Sequence, residues 1–286
     1  MLYCLLSMKI NYNSINSIRC ALKSKNISPR KIWGQNYLIN EHIREKIADA
    51  LEIKENERVW EIGPGLGAMT TILLKKTNFL TVFEIDPKYS EILNEQFGQF
   101  TNLKIIKGDF VKTYKQERQN INKIFSNLPY NIASKIISTL IEDEILTHMV
   151  LTVQKELADR MLAKKGNKNY SSFTVLVQSH FNVIKIMDID KKNFYPIPKV
   201  TSTTLKLIPC KRTIKNFKAF NKLVRTVFTS RRKKLKNTIV NFIKDASILE
   251  EDFLKRFLDK RPEEISVEEF ITISNTLTTT DHQGTC

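Results

Sequence analysis

Apolar residues fall along this chain in two rhythms. Short, nearly unbroken runs occur at Arg58-Val59-Trp60-Glu61-Ile62, Leu80–Glu84, Leu103–Lys107, Lys123–Ser126 and Met149–Val153. Runs of that kind predict strands buried on both faces. Elsewhere apolar residues return every three or four positions, which predicts helices over about Asn40–Leu51, Ala68–Lys76, Asp86–Phe97 and Lys135–Ile141. In the first of these, Ile43, Ile47, Ala50 and Leu51 share one face. Strand and helix therefore alternate, and the expected architecture is α/β, with a parallel sheet covered on both sides.

After Ile208-Pro209 the pattern changes. Phe220, Leu223, Val224, Val227 and Phe228, then Leu235, Ile239 and Phe242, recur at helical spacing. Ser247 with Glu250, and Ser266 with Glu269, read as capping boxes opening two further helices. The expected organisation is a basic N-terminal extension over 1–33, a sheet domain over 34–210 and a small helical domain over 211–286. The extension reads as loosely structured, with a short helix around Ile15–Leu22. Its opening residues are too short and uncharged for a signal peptide, and Met8 offers an alternative start.

Charge adds a partner class to this picture. The net charge is +16, and the two segments 1–40 and 211–244 carry 18 positive charges and no acid, so the rest of the chain sums to −2. A near-neutral body with two basic segments points to a polyanion. The run Arg231-Arg232-Lys233-Lys234, extended by Lys236, is placed in a helical stretch whose Phe228, Leu235 and Ile239 face inward. With no acid nearby in sequence, it is the candidate grip on that polyanion. The four cysteines are widely spaced and form no Cys-x-x-Cys pair, so no zinc site is expected, and reduced thiols in a cytosol-like compartment fit best. No apolar run approaches the length of a membrane span.

Candidate chemistry gathers at strand ends, where open α/β sheets build their ligand crevices. Glu61-Ile62-Gly63-Pro64-Gly65-Leu66-Gly67 closes the first run, and its glycines permit close backbone approach to a ligand. Glu84, ending the second run, has the place of a ribose-binding acid. Asp109, after the third, can accept from an adenine amino group. Gly63, Gly65 and Ala68 also satisfy the dinucleotide fingerprint, so a nicotinamide enzyme remains a rival. Three alternating glycines behind Glu61 fit an S-adenosylmethionine pocket better. The fourth run ends in Ser126-Asn127-Leu128-Pro129-Tyr130-Asn131. Asn127 offers a carbonyl acceptor, Pro129 has no N–H and lets a neighbouring carbonyl point inward, and Tyr130 offers a flat face for a base. Those groups suit an exocyclic amine held for reaction.

EIGPGLG, FEID, GDF and NLPY in this order resemble the KsgA family, the small-subunit (16S) rRNA adenine N6,N6-dimethyltransferases. The resemblance extends to GQNYL (Gly34–Leu38), VQKELADRMLA (Val153–Ala163), FYPIPKVTST (Phe194–Thr203) and FTSRRKKLKNTI (Phe228–Ile239). It implies a class I methyltransferase fold, Rossmann-like with a seven-stranded sheet, a helical C-terminal domain, and S-adenosyl-L-methionine as methyl donor. Cofactor contacts would fall on Asn36, Leu38, Gly63, Glu84, Asp109 and Asn127. Asn127, Leu128, Pro129, Tyr130 and Phe194 would form the adenine pocket, with the base stacked between Tyr130 and Phe194. Tyr37 stands where GQNFL has Phe, and Thr201 where PKVDS has Asp; both are peripheral to methyl transfer. The implied partner is the 30S subunit and its rRNA, met by a cytoplasmic monomer with no membrane association. An Erm-type large-subunit rRNA methyltransferase and a non-catalytic RNA-binding assembly factor remain alternatives.

Overall fold

The computed structural model describes residues 10–27, 35–118, 120–129, 131–240, 242, 243, 249 and 252–280. Gly34, Tyr130 and the Ser247–Glu250 cap lie outside them. The chain opens with helix α1 (Ile15–Ser24), then a two-residue strand β1 (Tyr37–Leu38), α2 (Glu41–Ala50), β2 (Arg58–Ile62) and α3 (Thr70–Leu73). It continues through β3 (Phe79–Glu84), α4 (Pro87–Phe97), β4 (Leu103–Lys107), α5 (Phe110–Thr113), β5 (Lys123–Asn127), α6 (Ala133–Glu142) and β6 (His148–Gln154). Next come α7 (Lys155–Met161), α8 (Ser172–Gln178), β7 (Phe181–Ile189), β8 (Phe194–Tyr195) and β9 (Ser202–Pro209). The tail holds α9 (Phe217–Phe228), α10 (Lys236–Ile239), α11 (Asp252–Leu258) and α12 (Val267–Thr280).

Seven strands form one sheet in the order β4-β3-β2-β5-β6-β9-β7, and β1 pairs with β8 in a separate two-stranded ladder. β4, β3, β2, β5 and β6 run parallel, whereas β9 lies antiparallel to β6. Because β3 and β5 flank β2 on opposite sides, the winding reverses at β2. The crevice outside the carboxyl ends of β2 and β5 is therefore the place for a ligand.

Chain contacts divide the fold into two compact units. One comprises the residues before Asp159 together with Ile184–Ile208; the other comprises Asp159–Val183 together with the residues from Pro209 onward. The second unit has its own core, in which Phe220, Leu223, Val224 and Val227 of α9 meet Phe270, Ile273 and Leu277 of α12. Tyr170 and Val175 belong to that core, and the Tyr170 hydroxyl donates to the Ile265 carbonyl at 2.9 Å. The expected continuous domain over 34–210 is thus interrupted. Its segment 159–183 carries apolar side chains whose buried partners lie far along the chain.

In the N-terminal segment the expected short helix is present as α1, while the loosely structured reading is corrected for residues 10–27. α1 is capped by Ser14 and buries Ile18 and Leu22 in a cluster with Tyr12, Leu66, Tyr89 and Ile92. A basic, polar stretch reads as loose, yet one apolar i,i+4 pair and a tyrosine tie it to the sheet unit. α3 is shorter than the predicted Ala68–Lys76, its ends tightening into three-residue turns such as Ile72 N–H to Met69 and Lys76 N–H to Leu73. The basic run 231–234 lies in the turn between α9 and α10, not in a helix. Its chain bends there through a Lys233 N–H bond to Ser230, and Leu235 is held by the Lys260 carbonyl. The Ser266–Glu269 capping box is present, each residue's side chain accepting from the other's N–H.

Candidate functional site

The glycine loop follows β2 directly, and its backbone is left-handed. Gly65 has φ +57° and Gly67 φ +92°. A Cβ on Gly67 would stand 2.4 Å from the Phe97 ring, so only glycine fits that turn. The loop is tied to the next strand end: Gly65 N–H donates to Glu84 Oε2 at 3.0 Å, and Gly63 N–H donates to the Phe83 carbonyl. Glu84 Oε1 accepts from Asp86 N–H at 2.9 Å. A carboxylate retains further lone pairs after two such bonds, so Glu84 can still take ribose hydroxyls.

Both acids at this edge are buried. Burial pushes the Glu84 carboxyl up to about 7, opposed in part by the Asp86 and Gly65 N–H groups. Glu61, held by the Thr70 hydroxyl at 2.7 Å, is pushed by burial up to about 8. Two carboxyls poised to ionise suit a ligand that brings positive charge.

Asn127 ends β5, paired with Thr152 of β6. Its amide nitrogen donates to the Asn36 carbonyl at 3.1 Å, which leaves Oδ1 as the accepting end. Leu128 N–H donates to the Thr152 carbonyl, and the Leu128 side chain is buried in the core. Only the Leu128 main chain can serve the site. Pro129 lines the cavity, but its carbonyl accepts from Ile132 and Ala133 N–H at the start of α6. Asp109 caps α5 through Val111 N–H.

One cavity of about 310 Å³ collects these groups. Asn36, Leu38, Gly63, Glu84, Asp109 and Asn127, the six expected cofactor residues, all line it. So do Glu61, Pro129, Ile85 and Val111. Ile85 and Val111 were not anticipated as site residues. Ile85 is 46% exposed directly after Glu84, and an apolar side chain left open beside a strand-end acid is the signal that marks it.

Phe194 is not brought to this cavity. It is 1% exposed, packed among Leu38, Ile47, Phe125 and Ile189, and pairs with Leu38 across the β1–β8 ladder. Its ring is therefore not offered to a base in this structure; the half-exposed neighbour is Tyr195.

The basic run is less solitary than its sequence context implies. Arg231 donates to the carbonyls of Lys168 and Asn167 and lies 3.5 Å from Glu263. Lys234 and Lys236 both reach Asp259, at 3.0 and 2.9 Å. The acids absent from 211–244 arrive from later in the chain. Arg232 and Lys233 stand exposed.

A parallel sheet that reverses at β2, a glycine loop tied to a strand-end carboxylate, and an asparagine-led turn on the neighbouring strand define a class I methyltransferase. The profile of the ribosomal RNA adenine dimethylase family matches residues 26–279. The chain belongs to that family of S-adenosylmethionine-dependent enzymes. It is 73% identical over 277 residues to a protein of Borreliella burgdorferi named ribosomal RNA small subunit methyltransferase A, covering 97% of this chain and 99% of that one. A Treponema denticola protein of the same name is 39% identical, covering 82% of this chain and 83% of its own length. Among solved structures, a dimethyladenosine transferase from Plasmodium falciparum superposes with a TM-score of 0.75 at 28% identity, covering 85% of this chain and 97% of that one. The 23S rRNA methyltransferase ErmE shares the fold, with a TM-score of 0.65 at 21% identity over 84% of this chain and 99% of its own.

Proposed function

We propose that this enzyme transfers methyl groups from S-adenosylmethionine to N6 of two adjacent adenines near the 3′ end of 16S rRNA, acting as a cytoplasmic monomer on the 30S subunit. The observation that carries the reading is the Asn127 amide, held by Asn36 with its oxygen end free of that bond, at the rim of the cavity lined by all six cofactor residues. Identity of 73% to small-subunit enzymes supports the small subunit as target. Likeness to ErmE extends to the fold alone.

The residues fit the cofactor. Glu84 would take the ribose hydroxyls, Asp109 and Val111 would meet the adenine, and the buried Glu61 would face the cationic end of the ligand. S-adenosylmethionine, when bound, supplies an electrophilic methyl group on a sulfonium. The chain's own task lies with the amine. The N6 lone pair of adenine is delocalised into its ring. Asn127 Oδ1 and the Leu128 carbonyl, beside Pro129, accept the two N6 hydrogens and favour a pyramidal nitrogen whose lone pair faces the methyl group. Holding two reactants so aligned supplies roughly 7–11 kcal/mol of a barrier. Leu38, Met69, Phe125 and Ile136 give the same cavity an apolar lining. The stacking face would be that of Tyr130, as the resemblance implies, while Phe194 packs against Leu38.

The test is radiolabelled methyl transfer to purified, undermethylated small subunits, with base mapping, beside large-subunit rRNA. Label in two adjacent small-subunit adenines is expected; label in large-subunit rRNA alone would refute the assignment.

A further inference from the structure

We infer that Tyr89, which lies outside every motif of the site, is a positioning residue for methyl transfer, acting through Tyr37, Gln35 and Asn36 on Asn127. The inference rests on the role proposed above for Asn127. Tyr89 is on α4 and fully buried. Its hydroxyl donates to Gln35 Oε1 at 3.2 Å and is hydrogen-bonded to the Tyr37 hydroxyl. A hydroxyl has one proton to give, so Tyr37 must be the donor to Tyr89. Burial, foremost, and then the neighbouring Tyr89 and Glu84 hold the Tyr37 hydroxyl well above its ordinary range, so it keeps that proton.

One phenol therefore grips both neighbours of Asn36. Asn36 in turn offers its carbonyl to the Asn127 amide, the bond that decides which end of that amide faces an incoming amine. If Asn36 shifts, Asn127 loses its fixed orientation and presents a donor as readily as an acceptor. The Tyr37 ring also abuts Gly65, lying 3.5 Å from where a Cβ would be, and Gly65 holds Glu84. The segment that Tyr89 anchors thus touches the cofactor side and the amine side of the cavity together. The tyrosine at position 37, where GQNFL has Phe, acquires a partner here: its extra hydroxyl is the link to α4.

The experiment measures kcat and KM for S-adenosylmethionine on undermethylated small subunits, with thermal midpoints, for Tyr89→Phe, Tyr37→Phe, the double variant, and each in an Asn127→Ala background. Loss of a buried hydrogen bond predicts that Tyr89→Phe lowers kcat by about three- to tenfold. The double variant should match Tyr89→Phe, since Tyr37 has then already lost its partner. In the Asn127→Ala background, Tyr89→Phe should change kcat by less than about twofold, as coupled residues require. A role in stability alone would lower the thermal midpoint with kcat intact, and that result overturns the inference. So does a Tyr89→Phe effect that persists undiminished without Asn127. If Tyr89→Phe does not fold, Tyr37→Phe reads the same link: a kcat loss that vanishes in the Asn127→Ala background supports it, and no loss refutes it. The two readings fail separately. Asn127→Ala at wild-type rate defeats the site assignment, whereas a slow Asn127→Ala with an unaffected Tyr89→Phe defeats only the positioning role.

Discussion

The Asn127 amide nitrogen lies 3.1 Å from the carbonyl oxygen of Asn36, a residue 91 positions earlier. That bond joins the end of a central strand to the segment before β1 and turns a symmetric-looking side chain into a directed acceptor. Asn127→Ala should lower the methyl-transfer rate by about 10²-fold or more while leaving RNA binding nearly unchanged. Asn127→Asp should be no better, because a carboxylate oxygen would face the Asn36 carbonyl. Single-turnover kinetics on small subunits check both, and a near wild-type rate in either would remove Asn127 from its assigned place.

Cofactor binding should release protons near neutral pH. Glu84 and Glu61 are raised by burial to about 7 and 8, from an ordinary 4.5. A ligand bringing positive charge favours their ionised forms. Calorimetry at about pH 7 in buffers of different ionisation enthalpy should show net release, fading by about pH 9, where both are already ionised. Glu84→Gln should reduce it. The ligand-free protein should show the matching stability trend. The folded state binds more protons than the unfolded one between 4.5 and about 8, so this contribution is present below 4.5 and lost as pH rises through 7 and 8. Binding heats independent of buffer would contradict the assignment.

Phe194→Ala should act first on stability. A fully buried aromatic in a packed cluster costs about 3–5 kcal/mol on truncation to alanine. Urea unfolding should show that loss, with Phe194→Leu much milder. If Phe194→Ala unfolds like wild type but loses RNA-dependent rate, the ring reaches the base after all, and its buried position is not the one in which it works.

Replacing Arg232 and Lys233 with alanine should weaken subunit binding and leave cofactor affinity intact. The slope of log K against log salt should flatten by roughly 0.7–0.9 for each phosphate no longer neutralised. Arg231, bonded to two carbonyls and near Glu263, should also cost stability when truncated. An unaltered salt slope in the Arg232/Lys233 variant would make the run a solvated turn, with rRNA held elsewhere.

Much of the site was legible because its signals are local. β2 coincides with its apolar run because a strand buried inside the sheet needs apolar side chains along its length, and β4, a half-exposed edge strand, coincides with its run as well. Glu84 could be placed because it closes such a run, Asp109 because it stands two residues past the end of one, and the Ser266–Glu269 cap because its two bonds span three residues. What tertiary structure alone decided depends on partners far away in sequence. β1 and β8 are two residues each, too short for any periodicity, and exist only because they pair with one another. Phe194 reads as a base-stacking ring in its Pro-rich context, yet Leu38, Ile47 and Ile189 bury it. Residues 159–183 lie in sequence between β6 and β9 of the sheet but group with the helical unit, and Arg231 finds its acid at Glu263. Periodicity is written over a few neighbouring residues, whereas burial and pairing are set by contacts that form only when distant segments meet.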